Sequence, residues 1–317
     1  LPALRITEVS PRDGLQNESR AIPSGQKLRL LELLLDSGVD EIEVTSFVSP
    51  KWVPQLGDAA AVCDGLVALL ANRAVHGKLN VTPMFSALVP NEKGLTSALE
   101  ANQRAATKLG NAAPLLSKVS VFTAASQSFS QRNTNASIAE TIERFVPVVK
   151  TAHEHSLLVR GYISCVIACP FEGPVDPQRV VEVADLLVQI GVDELDLGDT
   201  IGAATPETTA ALLRAVMSKH KSTPDSLTLH LHDTFGRAGE CAALAYTMGI
   251  RSFDGAVGGL GGCPYAGTPD KPAPGNVDTR VLLASLRNVG GVHATTDDGL
   301  SGAAQWVDEL RSGRFQS

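Results

Sequence analysis

Eight short runs rich in apolar and β-branched residues recur along the chain, with stretches of helical periodicity between them, and this alternation limits the fold more than any other feature. The runs are Arg5–Val9, Glu41–Thr45, Lys78–Pro83, Lys118–Thr123, Val159–Cys165, Asp193–Leu197, Ser226–His232 and Arg251–Ala256. Strand–helix alternation builds a parallel sheet covered by helices, and eight such units close into a (β/α)8 barrel. The intervening segments agree: Ser24–Ser37 carries Leu28, Leu31, Leu34 and Leu35 at helical spacing and stops before Gly38, and Pro206–His220 and Gly236–Met248 have the same character. The junctions SGVDEIEV, IGVDELDL and MGIRSFDG repeat one helix–glycine–strand unit at irregular spacing, which speaks against a solenoid. The expected fold is therefore α/β, a (β/α)8 TIM barrel in one domain over residues 1–317. A C-terminal helical extension from about residue 285, with Trp306, Val307 and Leu310, closes the barrel or lines a subunit contact.

Composition removes several classes of function. A net charge of −7, with basic residues scattered in ones and twos, offers no footprint for nucleic acid. Apolar stretches are broken by Gly, Pro or charge within about a dozen residues, so no membrane span is expected and the chain reads as soluble. Five scattered cysteines form neither a disulfide framework nor a zinc ribbon and point to a reducing compartment. That compartment is the cytoplasm of a bacterium, or the mitochondrial matrix if a transit peptide preceded Leu1. Cys63, Cys165, Cys169 and Cys241 read as buried thiols; Cys263, in a glycine-rich loop, stands apart.

The chemistry gathers at strand ends. In Leu227–Gly236 the pair His230 and His232 projects from one face of a strand, which is half of a metal site. A hard divalent cation would need oxygen ligands from elsewhere, and Asp13 and Asn276 are the best candidates. The plain alternative is a chance pairing, one imidazole buried and hydrogen-bonded, the other exposed. In a barrel, however, each strand's C-terminal end faces the active-site mouth. Arg12, Asp13 and Gln16 follow the first run, Glu43 and Thr45 end the second, Asp199 and Thr200 follow the sixth, and Cys263 and Asn276 lie beyond the eighth. Scattered surface charge would not place polar residues so consistently at one end of apolar strands.

The segments PRDGLQNE, EVTSFVSPKWVPQ, RGYISC, LGDTIG, HLHDTFG and GGLGGCPYA, in this order over nearly the whole chain, resemble the 3-hydroxy-3-methylglutaryl-CoA lyase family, within a larger group of metal-dependent barrel lyases and Claisen-type synthases. The Arg-Asp-Gly start and the HxH pair are shared with synthases; Gly-Gly-Cys-Pro-Tyr points to the lyase. The resemblance implies retro-Claisen cleavage of an acyl-CoA to acetoacetate and acetyl-CoA, with Mg2+ or Mn2+ as cofactor and a homodimer as the assembly. It implies metal ligands Asp13, His230, His232 and Asn276. It also implies catalytic roles for Arg12, which would stabilise charge on the thioester oxygen, and for Cys263, a proton-transferring thiol. Glu43 would orient Arg12 or a ligand, with an ordinary strand-end charge as the alternative. Asp13, Asp199 and His230 all remain open as acceptors of the hydroxyl proton. Arg12, Gln16 and Asp199 are the candidate substrate contacts, and Ser126, Arg160 and Tyr162 are weaker ones.

Two departures from the family pattern stand out. Arg280 replaces the acidic residue usual four positions after the asparagine, and the stretch from Cys263 to Asn276 is lengthened by Asp270 and Lys271. A lengthened loop at the mouth would shift preference toward a related 3-hydroxy-3-alkylglutaryl thioester. The rival readings are a Claisen-type synthase or aldolase, distinguished by release of free CoA thiol from 2-oxo acids, and a barrel that binds metal or acyl-CoA without turnover.

Overall fold

The computed structural model describes residues 3–77, 82–110, 113–219, 226–262 and 275–314, with backbone alone at 267–268 and 271–272. Eight strands form one closed parallel barrel: β1 (Arg5–Glu8), β2 (Glu41–Ser46), β3 (Met84–Leu88), β4 (Lys118–Ala124), β5 (Leu158–Ser164), β6 (Glu194–Asp199), β7 (Leu227–Leu231) and β8 (Ser252–Gly255). Each pairs with its neighbour in sequence, and β8 closes on β1 with Arg5 opposite Ser252. Seven of the eight sequence-predicted strands fall where expected. The third strand lies at Met84–Leu88, just after Pro83, which has no N–H for a central ladder; residues 78–81 of the expected run lie outside the described residues.

Helices cover the outside: α1 (Ser24–Leu35), α2 (Ala59–Val75), α3 (Glu92–Leu109), α4 (Gln127–Thr134), α5 (Ile138–Glu154), α6 (Pro177–Gln189), α7 (Pro206–Lys219), α8 (Ala238–Thr247), α9 (Thr279–Arg287) and α10 (Asp297–Arg311). Local sequence sets their ends. Ser137 and Glu140 form a reciprocal capping box on α5. The three repeated junction glycines, Gly38, Gly191 and Gly249, all take positive φ, the backbone state that only glycine adopts without strain. Residues Pro54–Val75, containing α2, are long and apolar enough to cross a bilayer by length and composition. This differs from the sequence expectation, since charges at Asp58, Asp64 and Arg73 are spaced widely enough to leave an apolar window. In the fold α2 buries Val62, Cys63, Leu66 and Val67 against β2 and its neighbouring helices.

The C-terminal extension is helical, as expected. α10 buries Leu300, Trp306, Val307 and Leu310, packing on α1 and on the turn that follows β8.

The barrel interior beneath the rim is ionic rather than aliphatic. Lys118 Nζ lies 2.6 Å from Glu41 Oε2 and 2.7 Å from Glu194 Oε2. Arg160 Nη2 lies 2.9 Å from Glu194 Oε1 and Nη1 3.1 Å from Asp254 Oδ1. All of these residues are buried. Removing one member of such a network leaves charge uncompensated away from water. Lys118→Met is therefore expected to destabilise the fold by about 3 kcal/mol, measured by urea unfolding; a loss below about 1 kcal/mol would show that the network relaxes around the gap.

Glu8 is a second buried carboxyl with structural work. It accepts from Val257 N (2.9 Å) and Thr279 Oγ1 (2.6 Å), and from the backbone and hydroxyl of Ser10, so it ties β1 to the turn after β8 and to the start of α9. Burial pushes it up from 4.5 to about 7, outweighing the lowering by these four donors. The folded protein thus holds a proton that the unfolded chain releases near pH 4.5, so this group's contribution is complete below that pH and is lost as pH rises through 7. Relative to Glu8→Gln, wild type is expected to lose about 3 kcal/mol of stability between pH 4.5 and 8. Parallel pH–stability curves for the two proteins would contradict this.

Candidate active site

Arg12 and Asp13 sit on a single π-helical turn, Ser10–Gly14, directly after β1. Such turns are uncommon and recur at functional sites. Here the turn brings two successive side chains over the barrel mouth. His230 and His232 come from the end of β7, and their Nε2 atoms lie 3.3 Å apart. Asn276 is brought opposite by antiparallel backbone pairing: Asp233 N donates to Gly275 O (3.0 Å) and Val277 N to Leu231 O (2.9 Å). Asn276 Nδ2 in turn donates to Asp13 Oδ2 at 2.8 Å. Groups from the first strand, the seventh and the segment after the eighth therefore meet at one point of the rim.

The electrostatics suit a cation there. Burial would raise Asp13, but the charges of Arg12, His230 and His232 and the Asn276 donor outweigh it, so Asp13 stays ionised well below the usual carboxylate range. His232 falls from 6.5 to about 4, first through burial and then through the charge of His230, which leaves a neutral imidazole at neutral pH. His230 moves the other way. Burial lowers it, but the hydrogen bond from Nδ1 to Asp254 Oδ2 (3.0 Å) and the charges of Asp13 and Asp254 raise it above 6.5. That bond assigns the proton to Nδ1 and turns the Nε2 lone pair toward His232 and Asp13.

Ligand atoms of Asp13, His230 and His232 all lie within 4.8 Å of one another. Asn276 Oδ1 is buried without a hydrogen-bond partner, as is His232 Nδ1. A buried acceptor beside two converging imidazole nitrogens and an ionised carboxylate is the donor set that a divalent cation satisfies. Asp196, His230 and Asp254 form a second close group. Its positive charge is already supplied by Arg160, whose Nη1 lies 3.1 Å from Asp254 and 3.5 Å from Asp196.

Arg12 is almost fully buried and clamped on two sides, by Glu43 Oε2 at 2.5 Å and Asp13 Oδ1 at 2.6 Å. Tyr162 donates to the same Glu43 oxygen at 3.1 Å, and its ring lies 5.1 Å below the guanidinium. The neighbouring carboxylates more than offset the burial that would lower Arg12, so it is a permanent cation.

A cavity of about 580 Å³ opens over this cluster, lined by Arg12, Asp13, Gln16, Tyr162, His230 and His232, with an apolar wall from Leu88, Phe122, Phe129 and Ile163.

A sequence model of the family described as HMGL-like matches residues 3–301. The chain belongs to the HMGL-like family. It is 45% identical, over 93% of its length and 90% of the relative's, to a 3-hydroxy-3-isohexenylglutaryl-CoA/hydroxy-methylglutaryl-CoA lyase of Pseudomonas aeruginosa. The crystal structure of an HMG-CoA lyase from Brucella melitensis superposes with a TM-score of 0.85 at 41% identity, covering 98% of this chain and all of that one. An HMG-CoA lyase of Acinetobacter baumannii, solved with coenzyme A and 3-methylmalate, superposes with a TM-score of 0.81 at 30% identity, covering 98% and 90%.

Within this HMGL-like barrel, several expected site residues lie elsewhere. Asp199 does not line the cavity: its two oxygens accept from Ala203 N (3.0 Å) and Ala204 N (2.8 Å), organising the loop after β6, while burial raises it from 3.8 to about 6. Its expected substrate contact therefore draws no support from the cavity lining. Ser126 caps α4, accepting from Phe129 N, and donates to Cys169 Sγ. Arg160 belongs to the ionic layer below. Arg280 bonds Asp278 through Nε and Nη2 at the start of α9, so its charge is neutralised locally instead of standing behind Asn276. Cys263 lies outside the described residues, as do the side chains of the lengthened loop. Asp254, which fixes His230, carries no motif and was missed in the sequence; its signal is register, because it stands directly opposite His230 on the neighbouring strand.

Proposed function

We propose that this HMGL-like enzyme cleaves 3-hydroxy-3-methylglutaryl-CoA to acetoacetate and acetyl-CoA with the help of a divalent metal. The observation that carries the reading is the meeting of Asp13, His230, His232 and the unpartnered Asn276 Oδ1 beside the clamped Arg12. The relatives of similar sequence carry the same reaction in their names, and coenzyme A in the Acinetobacter structure supports an acyl-CoA substrate. Asp13, His230, His232 and Asn276 would hold Mg2+ or Mn2+, supplying Lewis acidity at the substrate's C3 hydroxyl.

The chain's own groups then divide the work. The C3 hydroxyl loses its proton as the C2–C3 bond breaks; its electrons pass to C2 as the enolate of acetyl-CoA, and C3 becomes the ketone of acetoacetate. With His230 Nε2 given to the cation, the Asp13 carboxylate, which keeps lone pairs beyond one metal bond, would take the hydroxyl proton; Asp199, bonded to Ala203 N and Ala204 N, lies off the cavity lining. Arg12 holds the enolate oxygen, with Glu43 and Tyr162 keeping the guanidinium in place. Cys263 returns a proton to C2, so protons and electrons balance without any redox partner.

The apolar wall of the cavity and the double name of the Pseudomonas relative support activity on a thioester with a longer C3 branch. The test is a coupled assay for acetyl-CoA and acetoacetate with Mg2+ or Mn2+ added. No product from either 3-hydroxy-3-methyl- or 3-hydroxy-3-alkylglutaryl-CoA, with release of CoA thiol from 2-oxo acids instead, would transfer the barrel to the synthases.

A further inference from the structure

Asn276 has a choice of orientation that nothing in its own backbone settles. Its Nδ2 donates to Asp13 Oδ2 and also to Leu260 O, at 3.0 Å, and this pairing leaves Oδ1 as the buried free acceptor. Leu260 O therefore helps decide which end of the carboxamide faces the cation site. Its backbone also receives Asn276 N at 3.3 Å.

Leu260 is itself flanked by two glycines on each side. Gly258, Gly259, Gly261 and Gly262 all take positive φ, at 68°, 64°, 104° and 146°. The close approach requires it: a Cβ on Gly261 would lie 2.6 Å from Asn276 Nδ2, and one on Gly275 would lie 2.4 Å from the Gly261 carbonyl. Glycine permits this path but does not select it, because it has no side chain to hold and many alternative conformers. Selection must come from other groups bonded to the segment.

Two side chains do so, one from each end of the sequence. Asn17 Nδ2 donates to Gly262 O at 2.6 Å, and Arg311 Nη2, from the last turn of α10, donates to Gly259 O at 3.1 Å. Their targets bracket Leu260 on both sides. We infer that Asn17 and Arg311 are positioning residues, which pin the glycine segment so that Leu260 O turns the Asn276 carboxamide with its oxygen toward the cation. The inference rests on the reading of Asn276 as a metal ligand, and it gives the C-terminal helix a part in building a site to which it contributes no lining residue. Neither Asn17 nor Arg311 bonds the imidazoles; Asn17 stands on the cavity wall and Arg311 away from it, and both act on the site here through the glycine carbonyls they hold.

The decisive variants are Asn17→Asp, which keeps shape but removes the donor, and Arg311→Ala, with Arg311→Lys as the donor-retaining rescue. Hydrogen exchange in residues 257–262 of the metal-free protein is expected to quicken about tenfold in Asn17→Asp and Arg311→Ala, and to return toward wild type in Arg311→Lys. Mn2+ titration followed by the free-ion EPR signal is expected to show affinity weakened about fivefold in the same two variants, below the 10- to 100-fold typical of groups bonded directly to a ligand. In Arg311→Ala, which lies away from the cavity, kcat should fall with KM little changed, and in both variants the melting temperature should stay within a few degrees of wild type, since both bonds are exposed. Unchanged exchange in both donor-deleting variants would overturn the inference, as would quickened exchange with wild-type Mn2+ affinity. Should wild type itself bind no Mn2+, the proposed function falls, while the exchange comparison still decides whether these two donors hold the segment.

Discussion

Arg12→Lys is expected to lower kcat by about a thousandfold, the upper end for loss of one preorganised donor to a developing oxyanion. The variant keeps the positive charge, so the size of the effect reports geometry. Arg12 bonds Glu43 through Nε and Asp13 through Nη1, which fixes the plane of the guanidinium and leaves its remaining N–H groups directed by that plane. An ammonium is a point charge on a flexible stem, and it cannot satisfy both carboxylates while offering a third donor at the same place. Lysine also keeps Glu43 from being stranded as an uncompensated buried charge, which alanine would not, so the fold should survive the exchange. Because the bond to the substrate oxygen strengthens only as the enolate forms, kcat and kcat/KM should fall together with KM nearly constant. A fall of less than tenfold, or one confined to KM, would mean that Arg12 only binds the substrate or braces Asp13.

The barrel was legible because its signal is redundant. Eight apolar runs alternate with helices, and the loss of one position, the third strand, does not alter the count. The rim residues were legible for a related reason: a parallel barrel sends every strand's C-terminal end to one mouth, so Asp13, Glu43, His230 and His232 could be gathered from strand order alone. What the sequence could not supply was register and backbone path. Asp254 is one aspartate among many until β8 is paired with β7, when it proves to stand beside His230. Asp199 shows the reverse case: the sequence offers a strand-end carboxylate at the mouth, and only the fold shows its two oxygens accepting from Ala203 N and Ala204 N. The Asn17 and Arg311 contacts join residues 245 and 52 positions apart through backbone carbonyls, which are identical at every residue and leave no trace in side-chain pattern.

Removing the metal should have the second large effect, and its pH dependence identifies the ligands. Chelation is expected to reduce turnover by at least about a thousandfold, restored by Mg2+ or Mn2+, because no other described group at the mouth supplies Lewis acidity to the C3 hydroxyl. Binding requires both imidazoles to offer a lone pair. His232, held at about 4 by burial and by the charge of His230, is already neutral at pH 6 and has no proton to give up. His230 differs: Asp254 and Asp13 hold it above its ordinary value, so at pH 6 it is largely protonated, and a cation entering the site must displace that proton from Nε2 while Nδ1 keeps its bond to Asp254. Mn2+ binding should therefore release more protons at pH 6 than at pH 9, read by calorimetry in buffers of different ionisation enthalpy, with affinity rising as the pH rises. His232→Ala should weaken Mn2+ binding by about a hundredfold yet leave proton release in place, because the proton belongs to His230. Asp254→Asn should do the opposite, suppressing the release at pH 6 by removing the charge that holds the proton. If His232→Ala abolished proton release and Asp254→Asn left it intact, the two histidines would have exchanged roles, and the electrostatic account of the site would be wrong at its centre.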